Sequence, residues 1–472
     1  MTSASGTAGA NPPVLLPALL VAVAVLELGA RISGSRVVQD LAWIAMGGVA
    51  IASLRRLGPR EVYLLSLSVA LAILIVARTP DPAAELRPAL DQASFLMAFI
   101  LLMGLLHETA STSPAVAACG EYLTRQPPGR RYYALNVGTA LLGVLFNIGV
   151  VSFLAPLIQR GIERATPGDA LNGIRERRQI SALLRGFAWC VVWSPTAIAP
   201  LAVAEIMPGV DRVLWIEYGL GVFVLMLVIG GLEDRWRFRG FRPSGVRRVA
   251  VLPAGAVMRF AAACAWLFGM TAAVVWLSGD TVVFGLLMAC PFMVAGWLAV
   301  QSGFPSPDFM PAATTRLRQI MVRDLPRSAP VAITLACSGF IGRAAAGQAP
   351  AAELAAFLRV DAMPDFVLLS LIPPVLSLFS LLALSPIMMA VFFGSLFAAL
   401  PAMPADPTLI AFSISCGWAL SMVFSPFATV TLLLDRITGI PARRLTWGWN
   451  LGFTLLCALA LVPVFAMLTG GR

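Results

Sequence analysis

The chain has 472 residues, 59% of them hydrophobic and only 12% charged, with 34 basic residues against 24 acidic and a formal net charge of +10. A chain this apolar cannot fold as a water-soluble globule, and it reads as an all-α polytopic membrane protein. Every basic residue is Arg, and most lie in short connections between apolar runs. That pattern fits helix anchoring at one membrane face and excludes the continuous basic stripe of a nucleic-acid binder.

In chain order, spanning helices are predicted at roughly 13–30, 38–54, 61–78, 91–109, 182–207, 213–232, 254–278, 281–301, 328–342, 411–434 and 446–468. Each approaches the roughly 18 residues that cross a bilayer as helix, and none alternates as a barrel strand would. The run from Val14 to Gly29 has no basic region before it and reads as the first membrane helix, not as a signal peptide. Two further apolar stretches, 132–160 and 366–400, do not read as simple spans. The seven Cys are scattered with no CxxC, and His107 is the sole histidine, so neither a disulfide frame nor a metal centre is expected.

Sidedness comes from the arginines. The connections holding Arg55, Arg56 and Arg60, then 124–131, 174–178, 233–248, 316–327 and 436–444, are the most basic. Placing all six in the cytoplasm gives about 11 transmembrane helices, with the N-terminus inside and the C-terminus outside. It also forces 132–160 to enter and leave on the inner face and 366–400 on the outer face, as two re-entrant hairpins. Such backbone is tolerated at membrane depth only when buried in protein or lining a wet cavity.

The chain also repeats itself. Ser194-Pro195 and Ser425-Pro426 lie 231 residues apart (425 − 194), Glu205 and Asp435 lie 230 apart, as do Gly209 and Gly439, and Trp215 and Trp447 lie 232 apart. Upstream, 104–123 resembles 339–358. With the sidedness above, these are two inverted-topology repeats, an architecture of secondary transporters. The expected organisation is three spans in 1–88, a first repeat in 89–235, a basic loop and two spans in 236–320, and a second repeat in 321–472.

Each Ser-Pro pair sits within an apolar run and can start a half-helix, with Ser as N-cap and Pro at the first helical position. Ser385-Pro386 can start the returning arm of the outer hairpin. Asn147 can cap the returning arm of the inner one, with Gly149 easing the turn. Four half-helix N-termini would then converge near mid-membrane, where their unpaired N–H groups suit an anion. The hydroxyls of Ser194, Thr196, Ser425, Thr429 and Thr431 are placed to coordinate a cation beside it. Among charges in apolar runs, Arg185 is a possible anion partner or a snorkelling residue, Glu205 and Asp435 are possible relays or helix-end anchors, and Glu217 is the proton-coupling candidate if sodium is not used, or otherwise a helix-end residue.

This layout resembles the divalent anion/sodium symporter family and its arsenite- and citrate-carrier relatives in the ion transporter superfamily. The resemblance covers roughly 90–235 and 325–470 and rests on an amphipathic helix (near 114–125), a hairpin, a broken helix and a closing helix, each occurring twice. The family's hairpin tips read Ser-Asn-Thr; here they are Phe146-Asn147-Ile148 and Ser385-Pro386-Ile387. The resemblance implies elevator-type secondary transport, usually by a homodimer.

The expected function is therefore secondary transport of a small anion, an organic carboxylate or other oxyanion, across the bilayer of the cytoplasmic (inner) membrane. The expected coupling ion is Na⁺ or H⁺, with no other cofactor and no nucleic-acid partner. The alternatives are a cation/proton antiporter on the same scaffold and a membrane-embedded lipid or glycan enzyme, the latter disfavoured by a single His and no acidic motif. No GxxxxGK[ST] loop is present for a self-contained ATP-driven pump.

Overall fold

The computed structural model describes residues 15–165, 167–240, 251–382 and 384–471, and every regular element in them is helical. Residues 13 and 14 of the predicted first helix and 241–248 of the basic loop lie outside the described residues. Three helices open the chain: α1 (Leu15–Ser33), α2 (Arg36–Ser53) and α3 (Pro59–Arg78). Then come α4 (Pro82–Ser111), α5 (Pro114–Thr124), the pair α6 (Pro128–Phe146) and α7 (Gly149–Ala165), the pair α8 (Asn172–Cys190) and α9 (Ile198–Ile206), and α10 (Arg212–Arg237). Two helices follow, α11 (Ala254–Ser278) and α12 (Val282–Gln301), with the short α13 (Phe309–Gln319) behind them. The second series is α14 (Ala329–Gln348), α15 (Ala351–Phe357), α16 (Asp365–Phe379) and α17 (Pro386–Ala398), α18 (Pro407–Phe424) and α19 (Thr429–Thr438), and α20 (Leu451–Leu468).

The series α4–α10 and α14–α20 thus place seven helices in the same order, with a hairpin and a broken helix at matching positions. Packing repeats as well: α6 lies on α8 as α16 lies on α18, and each hairpin's second arm crosses to the other repeat, α7 onto α19 and α17 onto α9. Gly209 and Gly439, matched in the sequence repeat, both adopt positive φ (82° and 70°) just past α9 and α19. A residue with a Cβ is strained there, so the turn needs glycine.

Eleven described helices are long and apolar enough to span a membrane. The number agrees with expectation but the membership differs. Asp365–Leu382, an arm of the second hairpin, qualifies by length. The α8–α9 pair does not, because it is split and α8 carries Arg175, Arg177, Arg178 and Arg185. From Ile180 to the break is about 11 residues, or about 16 Å of helix, roughly half of a ~30 Å hydrocarbon core. The most buried windows are α18–α19 (89%), α4 (78%) and Phe309–Gln348, which contains α14 (72%), while α3 and α11 are 11% buried and face outward.

The two ends of the bundle differ chemically. At one end the described parts of the six basic connections meet. Arg178 pairs with Asp234 at 2.6 Å, Arg177 stands over Phe238 and Trp449, Arg235 stands over Tyr133, and Gln159 bridges Glu176 and the Thr438 carbonyl. Here too Asp169 accepts from the Leu171 amide and pairs with Arg175, which together hold its carboxyl below the usual carboxylate range. At the other end, helices begin on oxygen caps: Asp81 for α4, Asp211 for α10, Thr281 for α12 and Asp406 for α18. Repeat-matched Glu205 and Asp435 fall on opposite ends. Glu205 meets Arg31 and Thr281, whereas Asp435 accepts from the Ala442 amide beside the basic connections. That is how inverted repeats place equivalent residues.

Close helix contact rests on glycine. A Cβ at Gly186 would strike the Asn136 backbone, one at Gly342 the Met388 carbonyl, and one at Gly219 the backbone of Val192 and Trp193. Small residues at helix crossings are the membrane solution to packing where water cannot drive association. The last of these contacts seats α10 directly on the unwound segment of the broken helix.

Candidate functional site

The α8–α9 break is an unwound stretch. Helix α8 stops at Cys190, whose carbonyl accepts from Ser194 N–H (2.9 Å), and α9 begins only at Ile198 with Ala197 as N-cap. Ser194 and Pro195 therefore do not occupy the cap and first helical position expected of them. The N–H of Ala197 bonds back to the Ser194 carbonyl (3.1 Å), closing a turn that delays the helix by three residues. The second repeat behaves alike: Ser425 ends α18, and Ala428 is the N-cap of α19. Neither Ala can cap with a side chain, so the first N–H groups of α9 and α19 have no side-chain acceptor at the N-cap.

Each break is tied to its own hairpin. Thr196 Oγ1 donates to the Val144 carbonyl at the end of α6 and lies 3.1 Å from Ser194 Oγ. Ser425 Oγ donates to the Ser380 carbonyl past the end of α16 (2.9 Å). The hairpin tips therefore stop at the depth where the broken helices unwind. In the first tip, Asn147 turns the chain at φ 47°, ψ −135°, and its Oδ1 accepts from Ile148 N–H (2.8 Å). Gly149 has no positive φ; its lack of a Cβ makes room for the His107 imidazole, which a Cβ would strike. That corrects its expected part in the turn.

One cavity of about 590 Å³ collects these elements. Its lining includes Asn147, Ile148 and Gly149 at the start of α7, Ser194, Thr196, Ala197 and Ile198 at the start of α9, Ser385, Pro386 and Ile387 at the start of α17, and Thr429 and Val430 at the start of α19. Apolar side chains, among them Met103, Phe146, Phe187, Trp418 and Met422, supply much of the wall. Arg60, Glu61, Glu108, Asp324, Arg327 and Arg436 ring its mouth at the basic end.

Seven of the sequence-nominated residues line this cavity: Asn147, Gly149, Ser194, Thr196, Ser385, Pro386 and Thr429. Pro195, Ser425, Pro426 and Thr431 do not. Thr431 Oγ1 donates to the Ser425 and Ala428 carbonyls, so it braces the break from behind. The four nominated charges are elsewhere too. Arg185 is 3% exposed and fully engaged: Nη2 to Glu233 (3.0 Å), Nε to Asn450 (2.8 Å), Nη1 to Tyr132 and the Gly230 carbonyl (both 3.4 Å), with its guanidinium 4.1 Å above Phe453. It neither snorkels nor faces the cavity; it locks α8 to α6, α10 and α20. Glu205 anchors the end of α9 away from the basic connections, and Asp435 the end of α19 beside them. Glu217 is exposed on α10 and lines neither described pocket.

The cavity contains groups the sequence did not nominate as binding residues. His107 Nδ1 is buried with no hydrogen-bond partner, and its ring stands edge-on to Phe146 (5.6 Å). Arg60 Nε and Nη2 are likewise buried without partners. A lone His inside an apolar helix was a visible signal; Arg60 read only as a loop arginine. No group of three or more His, Cys, Asp or Glu side chains suited to a metal occurs among the described residues.

No family model matches the chain, and no curated protein matches it. Solved structures do. The YdaH transporter of Alcanivorax borkumensis, whose topology is described as unusual, matches with 13% identity over 88% of this chain and 98% of its own, at a TM-score of 0.46. MtrF of Neisseria gonorrhoeae, described with a class of antimetabolite efflux pumps, matches with 12% identity over 87% of this chain and 95% of its own, at a TM-score of 0.55. The chain has the fold of a membrane transporter. Neither neighbour is named as a divalent anion/sodium symporter, so that family stands as a resemblance only. At this identity the likeness extends to the fold and no further.

Proposed function

We propose that the protein is a secondary active transporter of a small organic anion, a carboxylate in the first place, coupled to Na⁺ or H⁺. The observation that carries this is the convergence of four half-helix N-termini on one cavity. Each terminus brings about half a positive charge, and at α9, α17 and α19 no N-cap side chain accepts from the first N–H groups. The ligand's charged group would meet Asn147, Ser194, Thr196, Ser385 and Thr429, and its apolar part would lie against Met103, Phe146 and Trp418. Of the three arginines at the mouth, Arg327 pairs with Asp324, and Arg60 and Arg436 favour anion entry. We place the chain in a cytoplasmic membrane with the basic end inside, working as a homodimer.

The rival reading is a cation/proton antiporter, favoured by Glu61, Glu108 and Asp324 around the same mouth. Uptake of labelled carboxylates into proteoliposomes, driven in turn by a Na⁺ and a proton gradient, separates the two. Gradient-driven carboxylate accumulation supports the proposal. Proton movement driven by a cation gradient with no anion flux overturns it.

A further inference from the structure

The end of the bundle away from the inner cavity holds a second pocket, of about 460 Å³, where α1, α2, α4, α9 and α14 meet. Glu27 of α1 lies in it, only 2% exposed, accepting from Gln39 Nε2 (3.1 Å) and Arg31 Nε (3.5 Å). Arg31 also reaches Glu205 of α9 (3.4 Å), so two carboxylates share one guanidinium. Arg36 Nη1 donates to Asp91 Oδ2 (3.3 Å), while Asp91 Oδ1 is buried with no hydrogen-bond partner.

Arg343 of α14 and Gln92 of α4 have the opposite imbalance. Arg343 has no carboxylate oxygen within 4.0 Å among the described residues. Its Nη1 donates to Ser395 (3.2 Å), and Glu85, in the first turn of α4, acts on it without forming an ion pair. Beside it Gln92, 8% exposed, has an Nε2 with no hydrogen-bond partner. A buried amide donor left unpaired is costly unless something accepts from it.

The pocket therefore has carboxylate to spare, on Glu27, Asp91 and Glu205, and facing it one unpaired amide donor and a guanidinium, on Gln92 and Arg343. A simple anion would meet Arg343 but face Glu27 and Glu205; a simple cation would do the reverse. We propose that this outer pocket binds a small zwitterion of the amino-acid type, its carboxylate on Arg343 and Gln92 and its ammonium on Glu27 and Glu205. The site lies at the other ends of α4 and α14 from the inner cavity, and the proposal does not depend on the transport reading.

Calorimetric titration of the purified full-length protein with a panel of neutral L-amino acids tests it, with butyrate and propylamine as single-charge controls. At least one amino acid is expected to bind at least tenfold more tightly than either control. Arg343→Gln and Gln92→Leu are each expected to weaken that binding at least tenfold, and Glu27→Gln to narrow the gap between the amino acid and butyrate. Two variants are used so that a folding defect in one leaves the other informative; unchanged elution and tryptophan fluorescence qualify each one. Butyrate binding as tightly as the amino acids overturns the zwitterion assignment, as does full affinity in both folded variants or no binding by any amino acid. Carboxylate binding lost on Asn147→Ala, at the inner cavity, reports on the transport reading separately.

Discussion

The hydroxyl of Ser425 donates to the carbonyl of Ser380 at 2.9 Å, joining the second broken helix to the first arm of its hairpin. The Thr196 hydroxyl makes the same kind of bond to Val144 in the first repeat. Each bond satisfies a carbonyl that a terminating helix leaves without an intrahelical donor, so hairpin and break form one unit in each repeat.

Removing either hydroxyl without changing shape should loosen that unit. Ser425→Ala and Thr196→Val are each expected to cost about 1–3 kcal/mol, because a buried carbonyl loses its donor. Thr314→Val is the control. Its exposed hydroxyl bonds only within its own helix, to Met310 and Pro311, and the expected effect is within about 0.5 kcal/mol. Thermal denaturation in detergent measures all three.

Gly149→Ala should collide with the His107 imidazole and displace the first hairpin tip. The expected cost is about 1–3 kcal/mol, typical of overpacking. His107→Ala in the same chain should recover most of it. If the double variant is as unstable as Gly149→Ala alone, the contact does not explain the glycine.

Arg185→Met should destabilise by about 3–5 kcal/mol, since it leaves Glu233 buried with only Arg237 as partner. Glu233→Leu added to Arg185→Met should restore much of the loss. Arg185→Lys should not, because a point charge cannot replace a guanidinium that reaches Asn450, Tyr132 and Glu233 together.

The breaks, the repeat and the hairpins were legible because each carries a local mark: Ser-Pro within an apolar run, Asn147 at a tip, glycines at matching spacing. The role of Arg185 was not legible, because its partners lie 48 and 265 residues away and depend on how α10 and α20 pack. Nor was the true start of the half-helices. Ser-Pro predicts a cap and first helical position, but hydrogen bonding to the hairpin draws Thr196 and Ser425 out of the helix, and Ala197 and Ala428 become the caps. Gly149 looked like a turn residue, and only the position of His107 shows why a side chain is excluded there.

The cavity opens at the basic end, so a thiol at Asn147→Cys or Ser385→Cys, in a cysteine-free background, should be labelled from that face in the described conformation. Under transport conditions, with substrate and coupling ion present, position 385 should also become reachable from the opposite face. Labelling of both from one face under every condition would contradict alternating access.

The most direct test of the central claim is thermal stability of the purified protein across a panel of anions, with and without Na⁺ and at two pH values. A bound carboxylate at about 100 times its Kd is expected to stabilise by about 2.7 kcal/mol. That gain should disappear in Asn147→Ala and in Ser194→Ala, whose side chains line the cavity. Stabilisation by cations or pH alone, with every anion silent, would contradict the anion site and leave the antiporter in its place.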